Sequence, residues 1–143
     1  MQIQQLSVFV ENKPGRLAEI TEALAGAGVD IRAISVADTS DFGILRVIVD
    51  KPQQAVEALK SHGMTVSLTN VIAVGFDDRP GCFASAVRLL ADKGFDMEYM
   101  YAFISRDKGK AYVIIRVSQG EKAAETLKAN GFEILEQSAL DNM

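Results

Sequence analysis

Val10-Glu11-Asn12-Lys13-Pro14-Gly15-Arg16-Leu17-Ala18, preceded by Phe9 and running on into Gly28-Val29-Asp30, returns 66 residues later as Phe76-Asp77-Asp78-Arg79-Pro80-Gly81-Cys82-Phe83-Ala84 and Gly94-Phe95-Asp96. Between residues 12–30 and 78–96, seven of nineteen positions are identical, where chance would give about one or two. Further on the offset becomes 68, and Ala55, Glu57, Leu59, Lys60 and Gly63 match Ala123, Glu125, Leu127, Lys128 and Gly131. The change in offset places a two-residue insertion in the loop Ser105-Arg106-Asp107-Lys108-Gly109, where added length costs little. The chain therefore reads as two domains, 1–69 and 70–143, meeting near Leu68-Thr69-Asn70 with no flexible linker.

Within each copy the hydrophobic period changes repeatedly. Leu6, Val8 and Val10 alternate as a strand. Leu17, Ile20, Leu24 and Ala27 then fall at helical spacing after Pro14 and stop at Gly28. Two β-rich runs, 29–37 and 43–49, flank the polar turn Asp38-Thr39-Ser40-Asp41. Ala55, Val56 and Leu59 mark a second helix closed by Gly63, and Met64, Val66 and Leu68 a last strand. The second copy gives strand 70–76, helix 81–93, strands 95–104 and 110–118, helix 120–130 and strand 131–136. Each copy is a βαββαβ unit of the split, ferredoxin-like kind. The expected fold is α+β, two such units side by side in an eight-stranded antiparallel sheet with helices on one face.

Both sheet faces read as apolar. Leu45, Val47 and Val49 face the helices while Ile44 and Ile48 point away, and Val113 and Ile115 oppose Tyr112 and Ile114. A solvated face would be polar, so a second copy of the chain is expected to cover it, as a homodimer. Phe95, Met97, Tyr99, Tyr101 and Phe103 form one alternating row, read as core or subunit interface ahead of pocket lining.

Composition narrows the function. The 143 residues carry 15 basic and 19 acidic side chains, a net charge of −4, with 48% hydrophobic residues. An acidic surface without a basic run argues against nucleic acid as partner. No segment approaches a membrane span, and Met1-Gln2-Ile3-Gln4-Gln5 lacks the features of a secretory signal, so the expectation is a cytoplasmic protein with no membrane partner. One histidine and one cysteine cannot assemble a His/Cys metal cluster or an internal disulfide, and neither a metal nor a cofactor is expected. His62 reads as a basic group at a helix C-terminus, and Cys82 as a small, partly buried residue at a helix start.

Several chemistries share this architecture. A copper-chaperone-like domain would need a Cys-x-x-Cys pair in the first loop, where only Cys82 stands. An RNA-recognition domain would need stacking aromatics on a basic surface. An acylphosphatase-like enzyme would need a first-loop arginine cradle, for which Arg16 and Arg79 are the candidates. The remaining match is the ACT domain. An apolar strand running into Asn/Asp-x-Pro-Gly-x-Leu, followed by glycine and a second Asn/Asp at the next strand, resembles the signature of this amino-acid-sensing family. The pattern occurs here twice and in register across nearly the whole chain.

That resemblance implies a non-catalytic regulatory protein that binds a free amino acid between two ACT domains, with no enzymatic activity of its own and a metabolic enzyme regulated in trans. Carried across by position, one site pairs Asn12, Gly15 and Leu17 with Phe95 and Asp96. The other pairs Asp78, Gly81 and Phe83 with Val29 and Asp30. In this reading Pro14 presets the first helical turn, and the N–H groups of Gly15, Arg16 and Leu17 receive the ligand carboxylate at the positive helix end. Asn12 offers a carbonyl to the ammonium. Relatives that bind serine carry Asn where this chain has Asp30 and Asp96. The acidic second loop, with Asp78, makes the Asn12 site the favoured one. Asn12 and Asp78 could equally be helix caps. The competing readings are the acylphosphatase-like enzyme and a purely structural oligomerisation module.

Overall fold

The alternation at Leu6, Val8 and Val10 becomes strand β1 (Ile3–Glu11), and that at Leu45, Val47 and Val49 becomes β3 (Phe42–Val49). The two run antiparallel with Leu6 opposite Val47 and Val8 opposite Leu45, so their apolar residues share one face. Helix α1 (Arg16–Gly26) lays Ile20, Ala23 and Leu24 on that face, and β2 (Ile31–Asp38) pairs antiparallel with β3. Helix α2 (Pro52–Ser61) opens on a proline, whose missing N–H has no helical acceptor at that position, and adds Ala55 and Leu59 to the same core. Each fully buried Leu or Ile there contributes about 1.5–3 kcal/mol.

The chain continues through β4 (Thr65–Asp77), α3 (Cys82–Asp92), β5 (Met97–Ala102), β6 (Lys110–Val117), α4 (Gly120–Ala129), β7 (Glu133–Leu135) and α5 (Gln137–Asp141). This computed structural model describes residues 1–38, 41–103 and 108–141. Thr39 and Ser40 of the expected polar turn, Ile104 at the end of an expected strand, and residues 105–107 of the expected insertion loop lie outside them. No helix among the described residues is long and apolar enough to cross a membrane.

Two units result. The first is Gln4–Thr69 with the chain end from Leu140, and the second is Asn70–Ala139 with Met1–Ile3. The first has strand order β2-β3-β1-β4, and Ser7 Oγ lies 3.2 Å from Thr69 Oγ1 where β1 meets the start of β4. In the second the order is β5-β6-β4-β7, with antiparallel β4–β6, β5–β6 and β4–β7 pairs. Its core joins Ile72, Val74 and Ile115 to Leu90 of α3 and Leu127 of α4. Each unit is thus the expected βαββαβ sheet with two helices against one face.

The structure corrects several expectations. Among the described residues there are seven strands, not eight: the expected strands 64–68 and 70–76 are one thirteen-residue β4, since Leu68-Thr69-Asn70-Val71 offers no proline or glycine to break a ladder. The last strand shrinks to three residues, and α5 follows it. The aromatic row of β5 is split by a register shift between Met97 and Tyr99. Phe95 and Met97 pack against the helix-side core, whereas Tyr101, opposite Ile114, and Tyr99, opposite Arg116, lie on the other face. Of the four residues that called for a covering partner, Ile48 and Ile114 are fully buried and Tyr112 nearly so within one chain, and only Ile44 is exposed, at 38%. The helix-free faces are therefore not, as a whole, left for a second copy to cover.

Candidate ligand-binding site

Lys13-Pro14-Gly15-Arg16 is a type II turn. The Arg16 N–H donates to the Lys13 carbonyl at 3.3 Å, and Gly15, at φ 85 and ψ −8, takes the left-handed third position. A Cβ on Gly15 would meet nothing within 4 Å, so the backbone conformation, not a neighbour, calls for glycine. The second copy repeats the turn, with Cys82 N–H on the Arg79 carbonyl at 3.2 Å and Gly81 at φ 91 and ψ −19.

Two sequence readings change here. Pro14 lies in the turn that precedes α1 and does not begin the helix, and the Arg16 N–H is used by the turn and so is not offered to a carboxylate. The N–H groups of Gly15, Leu17 and Ala18 are used by none of the described backbone hydrogen bonds, as expected for a first helical turn. The N-cap positions of α1 and α3 are Gly15 and Gly81, so Asn12 and Asp78 stand upstream of the caps and not at them. The Asn12 N–H donates to the Asp41 carbonyl at 3.1 Å and the Asp78 N–H to that of Gly109 at 2.9 Å.

Between this turn and strands β2 and β3 opens a pocket of about 180 Å³ within the first unit. Val10, Leu17, Val36 and Leu45 form apolar walls, and Glu11, Asn12, Lys13 and Arg16 the polar side. Val36 and Leu45 meet because they are register partners on the helix side of the sheet. Charges of both signs stand at the mouth. Lys13 Nζ lies 2.9 Å from Glu11, and the Arg16 guanidinium 3.8 Å from Glu11 and 3.0 Å from Glu19. The hydrogen bond and charge of Lys13, then the charge of Arg16, hold the Glu11 carboxyl below its ordinary 4.5. A lowered carboxylate pKa favours the folded state above the unfolded value, and this is lost only as pH falls through the folded value, so the charge pattern persists at neutral pH.

Val29 and Asp30 lie beyond the other end of α1, an 11-residue helix about 16 Å long, so within one unit they do not join the Asn12 loop. Val29 is core. The Asp30 carboxylate pairs with the buried guanidinium of Arg32, whose Nε–H donates to the Leu140 carbonyl at 3.3 Å. In the second unit Phe95 packs on the core, and the Asp96 N–H donates to Ser118 Oγ at 3.0 Å. Phe76 and Phe83, the counterparts of Val10 and Leu17, touch edge to face with ring centres 5.7 Å apart.

Glu11, Lys13, Val36, Gly43 and Leu45 were not legible as site residues, because strand register and turn type bring them to the pocket. His62 caps α2 as expected, with Nδ1 2.8 Å from the Ala58 carbonyl. Cys82 is half-buried at the start of α3. No group of three metal-ligating side chains stands together among the described residues. A phosphate cradle is not favoured either: carboxylates flank Arg16, and the exposed Arg79 pairs with Asp77 at 3.2 Å.

Comparison with protein families matches the ACT domain pair over residues 1–143. The chain belongs to that family, a tandem pair of regulatory, amino-acid-binding ACT folds. Among solved structures, protein BT0572 from Bacteroides thetaiotaomicron is 38% identical and superposes with a TM-score of 0.93, covering 100% of this chain and 98% of that one. The ligand-free regulatory subunit of aspartate kinase from Thermus thermophilus is 19% identical with a TM-score of 0.63, covering 88% and 90% of the two chains. Its counterpart from Thermus flavus is 20% identical with a TM-score of 0.61, again covering 88% and 90%. No curated protein matches the sequence.

Proposed function

We propose that the chain is a cytoplasmic, non-catalytic sensor that binds a free α-amino acid at the Asn12–Leu17 loop and signals to a metabolic enzyme in trans. The observation that carries this reading is the pocket at the start of α1, which combines Arg16 and Leu17 of the first helical turn, charges of both signs and an apolar wall. A zwitterion needs such a pairing of opposite charges. Its carboxylate meets Arg16 and the N–H of Leu17 at the positive helix end, and its ammonium meets Asn12 and Glu11. At about 180 Å³ the pocket lies below the roughly 300–1,000 Å³ of drug-sized sites, which suits one small metabolite. Val10, Leu17, Val36 and Leu45 select an aliphatic side chain over serine. Calorimetry with the twenty common amino acids tests the reading: heat is expected from leucine, isoleucine or valine, and silence from all twenty overturns it.

A homodimer belongs to the same proposal, on different grounds from those the sequence suggested. Phe9, Ile34, Val36, Phe42 and Ile44 remain exposed in the first unit, whose outermost strand is β2. Phe9 and Phe42 stack with ring centres 5.0 Å apart. An uncovered strand edge flanked by apolar side chains is a template for pairing. Sedimentation is expected to give twice the chain mass at micromolar concentration. A monomer there, or a dimer unaffected by Ile34→Glu with Val36→Glu, refutes the β2 interface.

A further inference from the structure

We infer that the duplicated chain carries one amino-acid site at these loops, not two, because in the second copy two phenylalanine rings fill the place that is a pocket in the first. The inference rests on the ligand reading above and specifies its stoichiometry.

Two changes at equivalent positions act together. The first is steric. Val10 and Leu17, two walls of the first-unit pocket, become Phe76 and Phe83. Leu17 is 46% exposed, whereas its counterpart Phe83 is half-buried, its ring in edge contact with that of Phe76. Both phenylalanines pack with the core of the second unit. Val36 and Leu45 become Ala102 and Val113, which returns three methyl-sized groups of space. Two phenyl rings take more than that, and Gly43 becoming Ala111 takes a little as well.

The second change is electrostatic. Arg16, the cation beside the helix N–H groups, becomes Cys82, and Asn12 becomes the carboxylate Asp78. The first loop presents Lys13 and Arg16 beside Glu11 and Glu19. In the second, Arg79 and Lys110 are both paired with Asp77, and no cation replaces Arg16 at the first position of the helix.

The type II turn itself is kept in both copies, with the same hydrogen bond and the same left-handed glycine. The turn is therefore needed to start the helix in each unit, and the residues around it decide whether a ligand enters.

Titration of the intact chain with L-leucine, L-isoleucine and L-valine tests this. The expected stoichiometry is one per chain, and Arg16→Cys in the first loop should abolish the heat while leaving the melting transition cooperative. Phe83→Ala in the second loop should leave the stoichiometry at one. The combined replacement Phe76→Val, Asp78→Asn, Cys82→Arg and Phe83→Leu should raise it toward two. Two equivalents bound by the natural sequence, or one equivalent persisting after Arg16→Cys, overturns the inference while the ligand reading survives. No heat from any of the three amino acids overturns both.

Discussion

Asn12→Ala is expected to weaken amino-acid binding about ten- to a hundredfold. The side chain lines the polar side of the first-unit pocket, where its carbonyl can accept from a ligand ammonium. A hydrogen bond to a charged group contributes roughly 1.5–3 kcal/mol, and each 1.4 kcal/mol is about tenfold in affinity. Any effect on stability is a separate matter from binding: the main-chain bond from the Asn12 N–H to the Asp41 carbonyl is one that alanine retains. Calorimetry and thermal melting on the same sample separate the two effects. Unchanged affinity would remove Asn12 from the site, and a large fall in melting temperature would make it structural.

Gly75→Ala is expected to destabilise the protein by about 1–3 kcal/mol, the usual cost of overpacking a well-filled core. A Cβ at this position would lie 2.6 Å from Cε1 and 2.9 Å from Cδ1 of Tyr112, and 3.0 Å from Glu133 Oε2. The ring cannot step aside cheaply. Its hydroxyl donates to Glu133 Oε2 at 3.2 Å, its face packs on Phe103 with centres 5.8 Å apart, and the residue is 5% exposed. The first copy shows the alternative arrangement: Phe9 stands where the second copy has Gly75, and Ile44 where it has Tyr112. Thermal or urea melts would read the effect as a drop in Tm of roughly 2–4 °C per kcal/mol. A transition within one degree of the unsubstituted protein would show that the ring has room to move.

The βαββαβ order was legible because each copy changes hydrophobic period at glycine or proline, and because two copies in register reinforce one another. Other features depend on facts that periodicity does not carry. Pro-Gly fits both a helix start and a type II turn, and the glycine directly after the proline is the signal that favours the turn. The bulge at Met97/Tyr99 leaves no mark in composition, yet it sends the two halves of an alternating row to opposite faces. Alternation at Ile48, Tyr112 and Ile114 correctly announced a second apolar face but could not tell whether this chain or another would bury it. At the candidate site, Asn12, Gly15 and Leu17 were visible from local sequence. Val36 and Leu45 became visible only through strand register, and Glu11 and Lys13 only through the ion pair that folds over the loop. Helix α5, at five residues, is too short to show a period.

The chain ends give the duplication a history of dependence. Read along the sequence, the copies are successive cassettes, separable by one cut after Thr69. As folded bodies they have traded ends: Met1–Ile3 belong with the second unit and the segment from Leu140 with the first. Ile3 and Leu140 are both fully buried, and the Leu140 carbonyl accepts from Arg32. A single severed cassette would therefore lose a core side chain that its sibling supplies and keep one that it cannot house. Moving either half into another protein would therefore mean rebuilding both of its borders.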